Sequence, residues 1–139
     1  MASTNKINAN GTDYTLAIPM METIFWKEEG QYMRDNQSVP IPKGVKAYQV
    51  GLWLHWAPYD SSTYKSQKYN NCFTFIPRNF VTTRSGQGVA YPISTVNSTG
   101  ENETVCCKYV YITNSTIIGN KKNDLGSCKK WVLIGVYAI

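Results

Sequence analysis

The chain has 139 residues, of which 42% are hydrophobic, 13% aromatic and 17% charged, with a formal net charge of +5. That length suits one domain, the aromatic and β-branched content excludes a disordered chain, and no apolar run approaches the ~20 residues of a membrane-spanning helix. The basic residues are scattered, as in Lys43 and Lys46, Lys65 and Lys68, Lys121 and Lys122, and Lys129 and Lys130. They read as loop solubility and strand-edge protection rather than as a nucleic-acid footprint.

In chain order, "NKINANGTDYTLAIP" places the two-residue turn signal Asn10-Gly11 between short extended pieces. Met1 to Thr4 lead into a polar stretch without the basic and apolar blocks of an export signal. Synthesis in a cytoplasm is therefore expected, and the sequons at Asn10, Asn36, Asn97, Asn102 and Asn114 read as polar loop chemistry. "METIFWKEEGQYM" fits a helical turn or a strand equally well. Pro40, Pro42 and Lys43-Gly44 mark a loop, and residues 1–42 read as an N-terminal extension or leading strands, a possible-attachment segment ahead of a sandwich over 43–139.

Ala47 to Trp56 reads as a long strand, with Val50, Leu52, Leu54 and Trp56 on one face and Gly51, Trp53, His55 and Ala57 on the other. "APYDSSTYKSQKYNN" is a turn-rich loop. "CFTFIPRNFV" is a strand with Phe73 and Phe75 on one face and Pro77 at its end or on an edge. A mostly loop segment follows, with one short strand near Val89–Tyr91, then a strand in "VCCKYVYITNSTII", a turn in "GNKKNDLGS" and a terminal strand in "KKWVLIGVYAI". In that last strand Trp131, Leu133, Gly135, Tyr137 and Ile139 alternate with Val132, Ile134, Val136 and Ala138.

Short strands without a sustained helical period predict an all-β fold, an antiparallel β-sandwich or barrel. Two strands that are apolar on both faces leave one face without cover. Cover by further copies of the chain is expected, so Trp53, Trp131, Leu133, Val136, Tyr137 and Ile139 are the candidate subunit interface. A closed barrel roofed by its own loops is the competing solution.

Signals for catalysis are poor. His55 is the one histidine and sits in mid-strand, where a packed, hydrogen-bonded ring is expected. Asp60 and Asp124 lie in turn sequences that explain them, and no phosphate loop, nucleotide fingerprint or zinc motif occurs. No enzyme activity, catalytic residue, cofactor or metal site is expected. Cys72, Cys106, Cys107 and Cys128 lack Cys-x-x-Cys spacing and are expected to be free thiols. The loop residues Tyr59, Asp60, Tyr64, Tyr69, Asn70 and Asn71 combine flat apolar rings with hydroxyl-binding groups, which makes them the candidate ligand-binding loop.

At "GLWLHWAPYD", "FIPRNFV", "KYVYITNSTIIGN" and "KKWVLIGVYAI" the chain resembles bacteriophage virion proteins with a small jelly-roll-like domain. These occur in tail fibres, receptor-binding tips and head fibres or decoration proteins. The similarity runs from about Lys43 to Ile139, and "NKINANGTDYTLAI" looks like the leading strand of such proteins. The resemblance implies a homotrimeric, non-enzymatic structural protein exposed on the virion, made in the host bacterial cytoplasm. Its partners would be itself, other virion proteins and a host cell-surface polysaccharide, without membrane insertion. Fibre proteins usually carry a long shaft, for which 139 residues leave no room, so a short decoration protein or a tip on a separate stalk is expected. The alternative is a small β-barrel that binds single-stranded nucleic acid through its aromatic residues.

Overall fold

A computed structural model describes residues 6–15, 21–45, 48–96, 99–100 and 102–139. The strands are β1 (Lys6–Ala9), β2 (Thr12–Thr15), β3 (Glu22–Gln31), β4 (Ser38–Pro40), β5 (Gly51–Asp60), β6 (Lys65–Ser66) and β7 (Cys72–Pro77). A short helix α1 (Arg78–Thr83) precedes β8 (Gly88–Val96), β9 (Asn102–Ile112) and β10 (Thr116–Ile118). Two 3₁₀ turns, Lys121–Asp124 and Gly126–Lys130, lead into β11 (Trp131–Ala138).

Among the described residues the fold is all-β, with antiparallel sheets packed as a sandwich. The front sheet has the order β3-β11-β5-β7, with β6 pairing the far end of β5. The back sheet has the order β4-β10-β9-β8. Pairing of β3 with β11 and of β4 with β10 nests the ends of the chain around its middle, as in a jelly roll, while β5–β7 and β8–β9 pair with near neighbours in sequence. The hairpin β1–β2 pairs with itself.

The elements follow from local chemistry. Asn10 and Gly11 both take positive φ, 51° and 77°, the conformation a two-residue hairpin turn of matching twist requires. Pro92 is tolerated in β8 because that strand is at a sheet edge and the ring faces outward. The ambiguous Met21–Met33 stretch resolves as the strand β3 because its partner β11 offers a long apolar edge. β3 and β4 belong to the two sheets, so the sandwich takes in Glu22 onward and the boundary drawn at residue 43 cuts through it.

Leu52, Leu54 and Trp56 of β5 face Tyr91, Ile93, Val110 and Ile112 of the back sheet across the core. Trp131, Leu133, Val136 and Ala138 of β11 join them. Strict alternation would not put Leu133 and Val136 on one face. A bulge does: Leu133 pairs with Trp56 and Gly135 with His55, so Ile134 is an extra residue on β11. One inserted residue swaps the faces of everything beyond it. Trp131, Leu133 and Val136 are consequently buried inside a single chain, and their assignment to a subunit interface is corrected. Val50 is exposed ahead of β5, and Ala47, placed at the head of that strand from sequence, lies outside the described residues.

Cys106 of β9 and Cys128 of the second 3₁₀ turn form a disulfide, with Cα atoms 5.2 Å apart. This corrects the expectation of four free thiols. A separation of 22 residues carries no pairing signal, and what joins the two is the return of the chain along the stretch of β9 that β10 leaves unpaired. Cys72 is half-buried and Cys107 exposed, both as thiols.

Candidate functional site

The question raised by β5 and β11 is what covers their second face. At one end Ala57, Val132 and Ile134 form a small apolar cluster beneath Tyr32 and Tyr59, whose rings meet edge-on at 5.7 Å. There the chain roofs itself. At the other end two rows of side chains cross the sheet without a roof. The strand register aligns Trp26, Gly135, His55 and Phe73 in one row, and Thr23, Tyr137, Trp53 and Phe75 in the next.

Trp26 is 58% exposed and Phe73 54%, whereas His55 between them is only 8% exposed. The rings are in contact: His55 stacks on Phe73 at 4.4 Å, lies 6.1 Å from Trp26 and 5.8 Å from Tyr137, and Trp53 lies 5.0 Å from Phe75. Gly135 leaves the middle of the first row open, and Tyr137 leans across that gap. Any side chain at Gly135 would strike the Tyr137 ring.

His55 holds the arrangement together. The Asn71 amide donates through Nδ2 to the Lys68 carbonyl, 3.1 Å away, which turns Oδ1 toward His55. Nε2–H of His55 therefore donates to Asn71 Oδ1 at 2.7 Å, and Nδ1 accepts from the Tyr137 hydroxyl at 2.7 Å. Burial pushes the imidazole pKa below its ordinary value, partly offset by the Asn71 bond. The ring is neutral at pH 7 and both its nitrogens are committed to internal bonds. This face is built to present flat apolar surface.

The candidate loop divides in two. Asp60 and Tyr69 line a shallow cleft with Glu28, Thr63, Lys65 and Lys68, and the rings of Tyr64 and Tyr69 are exposed beside it. Asn70 instead exchanges two hydrogen bonds with the backbone of Val96, at 3.0 and 3.3 Å, while Asn71 is the partner of His55 and Tyr59 roofs the apolar cluster. Those three hold structure rather than ligand. Of the interface candidates, Trp53 and Tyr137 stand on the aromatic face, and Ile139 is half-buried at the end of β11, its carbonyl accepting from the backbone N–H groups of Gln49, Val50 and Gly51. The exposed rings of Trp26, Phe73 and Phe75 were not among the sequence candidates. The shared face of Phe73 and Phe75 was legible, but its neighbour Trp26 lay in the segment of ambiguous period.

A second polar constellation was also missed. Lys108 is fully buried between the sheets, and its Nζ donates to the carbonyls of Asn123 at 2.7 Å, Cys128 at 2.9 Å and Trp131 at 2.9 Å, over the ring of Trp56. Burial lowers its pKa from 10.5 to about 7, partly offset by the Asp124 carboxylate. Asn123, also fully buried, accepts from the Tyr109 N–H and donates to the carbonyls of Tyr109 and Met33. Arg34 bonds Asp124 at 2.5 Å on the outside of the same turn. These groups clamp residues 121–131 against the stretch of β9 that β10 leaves unpaired. Among the described residues no group of His, Cys, Asp and Glu side chains is placed to hold a metal ion, and no helix is long and apolar enough to cross a membrane.

No family model, curated protein or solved structure matches the chain.

Proposed function

We propose that the protein is a non-enzymatic structural component of a bacteriophage virion (a fibre, tip or decoration protein) that assembles as a homotrimer through the aromatic face of the front sheet. The observation that carries assembly is the pair of aromatic rows ending in Trp26 and Phe73, which the chain leaves open to water while it roofs the other end of the same sheet. Contiguous exposed apolar surface on a small domain marks a place for another molecule. The virion setting rests on the resemblance of the strand sequences. The Cys106–Cys128 disulfide supports work outside a reducing cytoplasm, as on a released particle. The cleft beside Tyr64 and Tyr69 is the proposed contact for host-surface glycan.

Light scattering on the purified chain at micromolar concentration tests this. Three times the 15.7 kDa chain mass is expected, and a clean monomer would remove the assembly reading. The second reading, binding of single-stranded nucleic acid, is favoured by aromatic rings displayed on a sheet. It is opposed by basic residues scattered along the chain rather than clustered, with Glu28 and Glu29 close to Trp26 on β3. It requires oligonucleotide affinity that falls steeply with salt, which the proposed protein should lack.

A further inference from the structure

Among the described residues a second surface beside the aromatic face lacks cover, the hairpin β1–β2. Ile7 and Tyr14 are directly opposite one another in its register and share a face with Ala9 and Thr12, while Lys6, Asn8 and Asp13 stand on the other face, where Asn8 bonds Asp13 at 2.8 Å. The hairpin thus alternates as a strand pair with one side meant for cover. It has no cover: Ile7 is 49% and Tyr14 55% exposed. A two-stranded hairpin by itself is marginally stable in water, so its apolar side is a docking side.

The dimensions of the two surfaces agree. Four strands at ~4.8 Å spacing make the row from Trp26 to Phe73 roughly 14 Å wide, and a four-residue hairpin arm at ~3.4 Å per residue is about as long. The row stands highest at its two ends, the exposed rings of Trp26 and Phe73, and is lower between them, where His55 is sunken and the Tyr137 ring lies over Gly135. A narrow ribbon bearing one aromatic and one β-branched side chain fits such a trough. In the single chain both surfaces stay exposed together, so neither satisfies the other within one copy.

We propose that the hairpin β1–β2 is an exchange arm, which lays its Ile7–Tyr14 face across the Trp26–Phe73 trough of a second copy of the chain. This rests on the assembly reading above and specifies how the copies meet. Each copy contributes one arm and one trough, so a closed ring leaves neither unfilled.

Two variants of the full chain separate the partners: an arm variant, Ile7→Asp with Tyr14→Asp, and a trough variant, Trp26→Ser with Phe73→Ser. All four side chains are at least half exposed or nearly so in the single chain, so both variants keep the wild-type circular dichroism. Native mass spectrometry should find the wild type multimeric and each variant monomeric. Mixed one to one at about ten times the wild-type concentration, to offset the lost multivalency, the variants should form a complex of two chains, the intact arm of one in the intact trough of the other. Absence of that complex, with each variant monomeric, overturns the exchange. So does either variant assembling as the wild type does, an outcome that leaves assembly by another route standing. A monomeric wild type overturns both readings.

Discussion

Lys108 and Trp26 occupy reversed positions, a lysine amine inside the protein and an indole outside it. At Lys108 the local chain supplies everything burial demands. Three carbonyls accept hydrogen bonds from its Nζ, the Trp56 ring lies beneath that nitrogen, and a disulfide anchors the segment that carries those carbonyls. At Trp26, among the described residues, the one ring contact is with His55, and the indole stays 58% exposed. The difference teaches where this fold is self-sufficient. Hydrogen bonds are short and can be closed by a loop of ten residues such as 121–130, whereas covering a sheet face takes an area of apolar surface that a chain rich in polar loops does not have to spare.

The sharpest way to break the contrast is Lys108→Ala. It strands buried carbonyls and opens a cavity beside Trp56, so a loss of about 3–5 kcal/mol in unfolding free energy is expected by denaturant titration; a loss below about 1 kcal/mol would show the clamp to be ornamental. Reduction of Cys106–Cys128 comes next. With the cysteines 22 positions apart, chain entropy sets the cost at about 3 kcal/mol, read as a shift in denaturation midpoint with and without reductant.

The pH dependence has a definite sign. Because burial holds Lys108 at about 7 instead of 10.5, the unfolded chain binds a proton that the folded one lacks between those values. Unfolding free energy should therefore rise with pH across that window, by at most about 1.4 kcal/mol per unit, and decline as pH is lowered to 7. Measured from pH 7 to about 9.5, below ordinary tyrosine ionisation, the rise should be absent in Lys108→Met. Smaller still is Tyr137→Phe, which removes the hydroxyl bonded to His55 Nδ1 and should cost about 1 kcal/mol. Smallest for folding is Trp26→Ser, within about 0.5 kcal/mol of wild type because the ring is exposed. Its effect should appear in assembled mass instead, and a large loss of monomer stability would place Trp26 in the core economy after all.

Much of the sandwich was legible. The Asn10-Gly11 turn, residues 51–56 of β5 and the terminal strand follow from turn chemistry and period-two alternation, whereas residues 57–60, read as loop, continue β5. The helix α1 was not, because six residues that bury Val81 alone show no helical period. Val89–Tyr91 proved to be the start of a nine-residue strand, β8, since serine, threonine and proline at an edge look like loop. In the candidate loop the sequence could identify tyrosines and asparagines, but not that Asn70 and Asn71 would turn inward to Val96 and His55.

Alternation along the strands, turn residues and the shortage of helical sequence were enough to determine an all-β chain with more apolar strand surface than one core consumes. Which residues form that surplus was decided by tertiary structure, because alternation holds only while the register does. The single extra residue at Ile134 sends Leu133 and Val136 to the same side, turns Tyr137 outward, and so exchanges buried for displayed residues in the last strand. Likewise, a lysine reads as surface in any sequence window. Lys108 can lie inside because carbonyls from residues 123, 128 and 131 converge on it, and convergence of groups distant along the chain is a property of the folded molecule alone.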